Sequence, residues 1–329
     1  MKGKQGFGKR ILAAALCAAL LAGAGCKRDE EAGPVPPEEE AQKTLGFSVF
    51  DMQYNFFQEM ERGTREATEE MGYAYILHDQ KSDPAEMVSG CESLINRNVD
   101  ALIISPKEPS AMGPVVAKAK NRGIPVVIDD IGGGGADYDA IVISDCYGGG
   151  VIAADYMAEQ LKGREGASRK VGVLKVNPAH VYAIRRGEGF VKRIRELGFE
   201  VAAELTANDQ RDQGYRVMQN MLTAHPDIAG VFCENDPMAV GAVQAIRDAG
   251  KSAIDDVLVV GFNGDPEAFE AMRAGQMAAT IQQVPYDMGR RCVELADMLL
   301  KGESLSYTDA ELREITVPVK LITRDNLPE

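Results

Sequence analysis

The chain has 329 residues, of which 45% are hydrophobic and 26% charged, and its formal net charge is -14 at pH 7. This length is more than one compact domain needs and is sufficient for two. The acidic balance argues against a nucleic-acid-binding protein, which needs a basic face to neutralise phosphates. Beyond the N-terminal segment, no stretch approaches the ~20 apolar residues that a membrane span requires.

The first 25 residues have the pattern of an export signal. Four basic residues precede an apolar run over 11–22, which is shorter than a membrane span and is followed by small residues. Two processing routes fit this segment. One is cleavage after Ala24, and the other resembles a bacterial lipoprotein signal, with cleavage before Cys26 and lipid on its sulfur.

Residues 26–43 are rich in Glu and Pro and contain almost no large apolar side chains. Such a segment cannot bury a core, so it is predicted to be a solvated tether. We expect the folded body to lie in the periplasm or at the outer face of the cell membrane. Its contact with the membrane would be a lipid anchor at Cys26 only.

From Thr44 onward, short apolar runs alternate with longer amphipathic segments. In the first set, strands are predicted over 45–50, 74–78, 101–105, 125–130 and 140–144, with helices over 56–71, 84–97 and 111–121. Several of these strands are apolar without alternation, as in residues 101–104, which is typical of parallel strands covered by helices on both faces.

The pattern then starts again. Strands are predicted over 170–176, 201–205, 230–233, 257–261, 279–281 and 315–322, with helices over 148–161, 184–197, 213–224, 238–249, 266–274 and 287–301. Strands alternating with helices at this pitch predict an α/β fold with doubly wound parallel sheets. Two successive sets of similar size predict two similar lobes.

Polar and aromatic side chains follow many of these strands. Because ligands of open parallel sheets bind outside the carboxyl ends of the strands, these positions are candidate ligand contacts. Carboxylates and amides make directional hydrogen bonds to hydroxyls, and aromatic rings pack on the C–H face of a sugar. At a single position, the alternative is a helix cap or a turn. The candidates are Asp51, Tyr54, Asn55, Phe56, Phe57, Asp130, His180, Arg185, Asp209, Asn235, Asn263 and Gln283.

Other motifs do not support catalysis or metal binding. The glycines at 132–135 lack the Lys and Ser/Thr of a phosphate loop. The three histidines, His78, His180 and His225, include no pair with metal-ligand spacing. Neither a G-x-S-x-G elbow nor a Cys-His arrangement is present. The sequence therefore predicts a protein that is not an enzyme and uses no cofactor or metal.

Four cysteines, Cys91, Cys146, Cys233 and Cys292, remain in the predicted body. Their wide spacing does not match a metal site. Cys91, Cys233 and Cys292 lie in apolar segments and are predicted to be small buried hydrophobic residues. Export would permit disulfides, so the oxidation state of the four stays open at this point.

The body, over about residues 45–322, resembles the ribose/galactose type of periplasmic sugar-binding protein. The stretches that carry this resemblance are 55–57 (NFF), 186–190 (RGEGF), 217–220 (VMQN), 224–227 (AHPD), 231–236 (VFCEND), 260–264 (VGFNG) and 278–283 (AATIQQ). The resemblance implies a type I periplasmic binding protein fold with a three-segment hinge. Crossings are expected near 144–145, 282–284 and the approach to Pro318.

These crossings imply discontinuous lobes, 44–144 plus 284–317 and 145–283 plus 318–329. By position, the resemblance also implies that Phe56 and Phe57 form an aromatic clamp. It further implies that Asp130, Asn235 and Gln283 bind ligand.

Several positions depart from the ribose-binding pattern. Ile131 and Ile184 stand where ribose binders carry arginines, although Arg185 is adjacent to the second position. Tyr54 replaces an asparagine, Asp209 an aromatic residue, and Asn263 an aspartate. An unpaired buried polar group costs about 1–3 kcal/mol, so these changes should alter specificity. The ligand is therefore left open among a pentose, a hexose, a polyol and a furanose-like signal molecule such as autoinducer-2.

The function predicted is that of a monomeric solute-binding protein of an ABC importer. It would capture a sugar-like ligand and deliver it to permease and ATPase subunits. The alternative is a sensor with the same module, acting in chemotaxis or signalling. A LacI-like regulator shares the lobe architecture, but the chain has an export signal and an acidic linker where a helix-turn-helix would lie.

Overall fold

The computed structural model of this protein describes residues 42–328 except 165, 167 and 179. The predicted signal, Cys26 and nearly all of the tether lie outside the described residues. The strands in chain order are β1 (Thr44–Val49), β2 (Ala74–Asp79), β3 (Ala101–Ile104), β4 (Val126–Asp129), β5 (Ala140–Ser144), β6 (Lys170–Lys175), β7 (Glu200–Thr206), β8 (Gly230–Cys233), β9 (Leu258–Asn263), β10 (Ala279–Gln282), β11 (Glu314–Val317) and β12 (Lys320–Thr323).

The helices complete the alternation. They are α1 (Asn55–Glu70), α2 (Pro84–Asn96), α3 (Met112–Lys120), α4 (Cys146–Lys162), α5 (Arg185–Glu196), α6 (Arg211–Ala224), α7 (Asp236–Asp248), α8 (Pro266–Arg273) and α9 (Pro285–Leu300). In this part of the chain, none of them has the length and apolar character that crossing a membrane requires.

The strands form two six-stranded sheets. The first has the order β11-β5-β4-β3-β1-β2 and the second the order β12-β10-β9-β8-β6-β7. Neighbouring strands are parallel, with the exception of the antiparallel pair β10–β12. The predicted α/β fold with two parallel-sheet lobes is confirmed.

Burial explains why the strands have their composition. Every residue of the central strands β3 and β8 is buried, whereas the edge strand β7 is largely exposed or half-buried. Each sheet carries one apolar cluster on each face, which includes Phe47 and Leu102 in the first lobe and Phe232 and Val259 in the second. The continuous apolar runs are therefore covered by helices on both sides.

The end of the chain differs from its prediction as one strand over 315–322. It forms two strands in different sheets, β11 parallel to β5 and β12 antiparallel to β10. Pro318 lies between them and has no N–H to donate, so it interrupts the hydrogen-bond ladder where the chain changes lobe.

The chain passes between the sheets after β5, after β10 and after β11. All three passages leave from carboxyl ends of strands, so the carboxyl edges of the two sheets face each other. The loops at these edges, after β1 and β4 in one lobe and after β6, β8 and β9 in the other, therefore meet between the lobes.

The four cysteines of the folded body are buried and carry free thiols. Cys91, Cys233 and Cys292 belong to the apolar clusters, as predicted. Among the described residues these cysteines form no disulfide, and the three in the apolar clusters pack as small apolar side chains.

Candidate functional site: a cleft between the lobes

A cleft of about 620 Å³ lies between the lobes. This volume is in the range of small-molecule sites. Both lobes line it, through residues Tyr54, Asn55, Phe56, Phe57, Glu59, Arg62, Asp130, Arg186, Asn263, Gly264, Asp265, Pro266, Gln282, Gln283, Val284, Pro285, Tyr286, Asp287 and Lys320. Seven of the predicted contacts are among them, namely Tyr54, Asn55, Phe56, Phe57, Asp130, Asn263 and Gln283.

Aromatic side chains at the start of α1 form the first-lobe wall. The Phe57 ring is buried and stacks on Phe50 at 4.8 Å between centroids, while Phe56 meets it edge-on at 5.2 Å. Tyr54 is 54% exposed at the rim. Phe57 is thus anchored in the lobe, and Phe56 and Tyr54 remain available to a ligand's apolar face.

Asp51 does not line the cleft. Its carboxylate is buried, accepts a hydrogen bond from Ser82 Oγ at 2.5 Å and another from the Gln53 backbone N–H at 2.8 Å. These hydrogen bonds lower the pKa of Asp51, with that from Ser82 the largest cause. Asp51 therefore holds the loop that carries the aromatic wall.

A connected polar network forms the second-lobe wall. Arg186 donates to the Glu234 carbonyl at 2.8 Å and to Asn263 Oδ1 at 3.2 Å, and its guanidinium lies 4.0 Å from the centre of the Phe262 ring. Gln283 Nε2 also donates to Asn263 Oδ1, at 3.0 Å, and Asn263 Nδ2 donates to Asp265 at 3.1 Å. These hydrogen bonds fix the orientation of the groups relative to one another.

Asp130 is the first-lobe carboxylate that faces this network. It follows β4 with a φ of +69°, a left-handed conformation that Asp tolerates better than most residues. Burial raises the pKa of Asp130 to about 6, and the charges of Arg186 and His180 oppose that rise. Arg186 and, when it is protonated, His180 are therefore close enough in the second lobe to act on this first-lobe acid.

Two buried acids, Glu234 and Asp236, accept hydrogen bonds from the backbone next to the second-lobe wall. Glu234 accepts from the Val176 N–H at 2.7 Å, and burial raises its pKa to about 7. Asp236 accepts from the backbone N–H groups of Gly264 and Asp265 and from Thr280 Oγ1, at 2.8, 2.8 and 2.7 Å. Burial and the neighbouring Asp265 charge raise the pKa of Asp236.

Gly187 shows how closely α5 packs on Glu234. A Cβ at this position would lie 2.0 Å from Glu234 Oε1, so a larger residue in the RGEGF motif would displace the buried acid that α5 passes over.

Three predicted contacts, His180, Asp209 and Asn235, lie together beside the cleft without lining it. His180 Nδ1 lies 3.2 Å from Asp209, and this hydrogen bond is the main cause of a raised His180 pKa. Asn235 donates to Asp209 at 3.2 Å and accepts from the Met238 N–H at 3.0 Å, which caps α7. Asn235 is therefore the N-cap of α7, a role that a polar residue between a strand and a helix commonly has.

Arg185 does not line the cleft, although the next residue, Arg186, does. The Arg185 guanidinium pairs with Glu314 of the first lobe, and Arg186 was not proposed as a contact. Consecutive helix residues point about 100° apart, so a one-residue difference changes the surroundings completely. The sequence signal that could have identified Arg186 is the RGEGF motif, which begins at this residue.

The cleft offers hydrogen-bond donors and acceptors together with an aromatic face. This combination suits a polyhydroxylated solute. Within the described ranges, no group of three or more His, Cys, Asp or Glu side chains is placed to hold a metal ion.

Residues 45–304 match the family model described as a periplasmic binding protein domain. The ribose import binding protein RbsB of Escherichia coli (strain K12) is 38% identical over 265 residues, which is 80% of this chain and 87% of that protein.

Solved structures give the same result. The periplasmic ribose ABC transporter structure from Conexibacter woesei matches with a TM-score of 0.78 and 26% identity, covering 87% of this chain and 93% of that one. An ABC transporter solute binding protein from Bacillus halodurans with bound myo-inositol matches with a TM-score of 0.70 and 28% identity, covering 87% and 96%.

Proposed function

Because this chain belongs to the periplasmic binding protein family, of the ribose-binding type, we propose that it is the solute-binding component of an ABC importer. It captures a monosaccharide or related polyol between its lobes. The observation that carries this proposal is that both lobes line the same cleft, with Asp130 from one lobe and Arg186, Asn263 and Gln283 from the other. A ligand that contacts both walls favours the closed form, because only that form makes all the contacts.

The relatives support a sugar or polyol without singling out ribose. The Escherichia coli relative is a ribose protein, whereas the Bacillus halodurans structure holds myo-inositol. In this chain Ile131 stands where ribose binders carry arginine, and it packs against the first-lobe apolar cluster. The cleft therefore has one cation fewer at that point than a ribose site.

The residues proposed to contact ligand are the seven candidates that line the cleft, together with Arg186 and Asp265. The proposed lobe boundaries are 44–144 plus 284–317 and 145–283 plus 318–329. In this proposal the protein acts as a monomer that docks on permease and ATPase subunits, and it performs no catalysis. It is exported to the periplasm and held at the membrane by lipid on Cys26.

A thermal-shift screen of the mature protein against pentoses, hexoses, polyols and furanose signals tests the proposal. A ligand at 100 times its Kd stabilises the native state by about 2.7 kcal/mol, which raises Tm by several degrees. We expect a sugar-like compound to do this, and Asp130→Ala to abolish the shift. No response to any sugar or polyol would overturn the proposal.

The anchor has its own test. Cys26→Ser should release the protein from the membrane fraction if Cys26 carries lipid. If the wild-type protein is released from the membrane fraction as fully as the Cys26→Ser variant, cleavage after Ala24 is indicated instead.

A further inference from the structure

We infer that Arg185 and Glu314 form an inter-lobe ion pair that positions the two lobes for capture without contacting the ligand. Arg185 is the first residue of α5, in the second lobe, and Glu314 is the first residue of β11, in the first sheet. The inference rests on the proposed function, because positioning matters only if the lobes open and close.

The pair has the geometry of a strong interaction. Arg185 Nη1 and Nη2 donate to the two Glu314 carboxylate oxygens at 2.8 and 2.9 Å. The Glu314 residue is 4% exposed, so this carboxylate is removed from water. Bidentate pairs of this kind are stronger and more directional than ordinary surface ion pairs.

An aromatic contact supports the pair. Tyr182 precedes α5 in the second lobe, and its ring lies under the Arg185 guanidinium at 4.7 Å. The same ring packs against the apolar cluster of the first lobe that includes Ile128 and Ile141. A Cβ on Gly132 would lie 2.9 Å from this ring, so the first-lobe loop is shaped to receive it.

Neither Arg185 nor Glu314 lies in a segment that crosses between the lobes, at 144–146, 282–285 and 317–320. The ion pair is therefore not held together by a chain crossing, and it can separate when the lobes rotate apart. An interaction made only in the closed arrangement raises the population of that arrangement. The apparent Kd is the intrinsic Kd divided by that population, so the pair sets affinity from outside the cleft.

The test compares Arg185→Gln and Glu314→Gln with a matched control on the same helix. Arg193 also lies on α5, but it pairs with Asp155 of α4, within the second lobe, at 2.7 Å. Arg193→Gln therefore removes an ion pair from α5 without removing an inter-lobe contact. Small-angle X-ray scattering of the unliganded mature protein measures lobe separation and needs no knowledge of the ligand.

We expect Arg185→Gln and Glu314→Gln each to increase the radius of gyration, and Arg193→Gln to leave it unchanged. In titrations with D-ribose and myo-inositol, a probe that binds wild type should bind either variant at least about tenfold more weakly, through faster dissociation. The double variant should be no weaker than the worse single variant, because both remove one interaction.

Wild-type scattering from both inter-lobe variants would overturn the inference, and so would an equal change in Arg193→Gln. If Arg185→Gln does not fold, the isosteric Glu314→Gln decides the outcome, and unfolding of both would assign the pair to stability instead. Absence of binding to any sugar would count against the proposed function. The scattering result would still show whether the ion pair holds the lobes together.

Discussion

The two walls of the cleft are built from different chemistry. The first lobe presents rings at the start of α1 together with the Asp130 carboxylate, whereas the second presents a network centred on Arg186 that is held by buried acids. Rings tolerate small changes in ligand position, but a hydrogen-bonded network fixes donors and acceptors in direction. We therefore expect the second lobe to select the hydroxyl pattern of a ligand and the first lobe to complete the enclosure.

The strongest test of this division is Arg186→Met, which keeps a long side chain but removes the guanidinium. Asn263 Oδ1 and the Glu234 carbonyl lose a donor, and Asp130 loses a nearby cation. We expect binding to be abolished and the free energy of unfolding to fall by about 3 kcal/mol.

Calorimetric titration and urea denaturation measure the two effects of Arg186→Met. Lys320→Met is the control, because Lys320 lines the same cleft but is exposed. An equal loss of stability in both variants would contradict a special role for the buried network.

Within the first-lobe wall, Phe57→Ala and Phe56→Ala should separate stability from binding. Phe57 is buried and stacked on Phe50, so its truncation should cost about 3 kcal/mol of unfolding free energy. Phe56 is only partly buried, so Phe56→Ala should cost less stability and weaken sugar binding about tenfold.

Urea denaturation and titration of both phenylalanine variants check this separation. If Phe56→Ala binds as wild type does, the first-lobe wall does not contact the sugar.

Asp130→Asn tests the first-lobe carboxylate through pH. Its pKa of about 6 lies above the value of about 3.9 in an unfolded chain, so the folded protein holds this proton more tightly. The ionised group therefore destabilises the fold fully above about pH 6, and the penalty disappears below about pH 4. Asp130→Asn should be more stable than wild type by about 3 kcal/mol at pH 7 and nearly equal to it near pH 4.

Thermal denaturation of Asp130→Asn and wild type across this pH range gives the difference curve. A difference that does not vary with pH would show that Asp130 does not titrate there. Binding should move in the opposite direction, because the asparagine amide loses a charged acceptor for ligand hydroxyls.

The smallest effect expected is that of Asn235→Ala, beside the second-lobe wall. It removes the oxygen that caps α7 through the Met238 N–H, so we expect a loss of about 1 kcal/mol in urea denaturation. Asn235→Ser keeps a capping oxygen and should restore most of this loss. Equal loss in both variants would show that the hydrogen bond to Asp209, and not the cap, is what matters.

Much of this organisation could be predicted from local pattern. Apolar runs such as residues 101–104 indicated buried parallel strands, and polar residues after β1, β4 and β9 indicated the cleft. The rest depended on which way a side chain leaves its element. Asp51 and Phe56 both follow β1, but Asp51 turns inward to Ser82 and the Gln53 N–H.

The sequence by itself determined two α/β lobes, because burial on both faces of a sheet leaves continuous apolar runs that can be recognised without coordinates. Only the tertiary structure decided that Arg186 lines the cleft while Arg185 reaches across to Glu314. The rotation of α5 about its axis settles this difference, and packing on α4 fixes that rotation. A Cβ on Gly150 of α4 would lie 2.0 Å from the Arg186 carbonyl oxygen, a contact between residues 36 positions apart that local pattern does not contain.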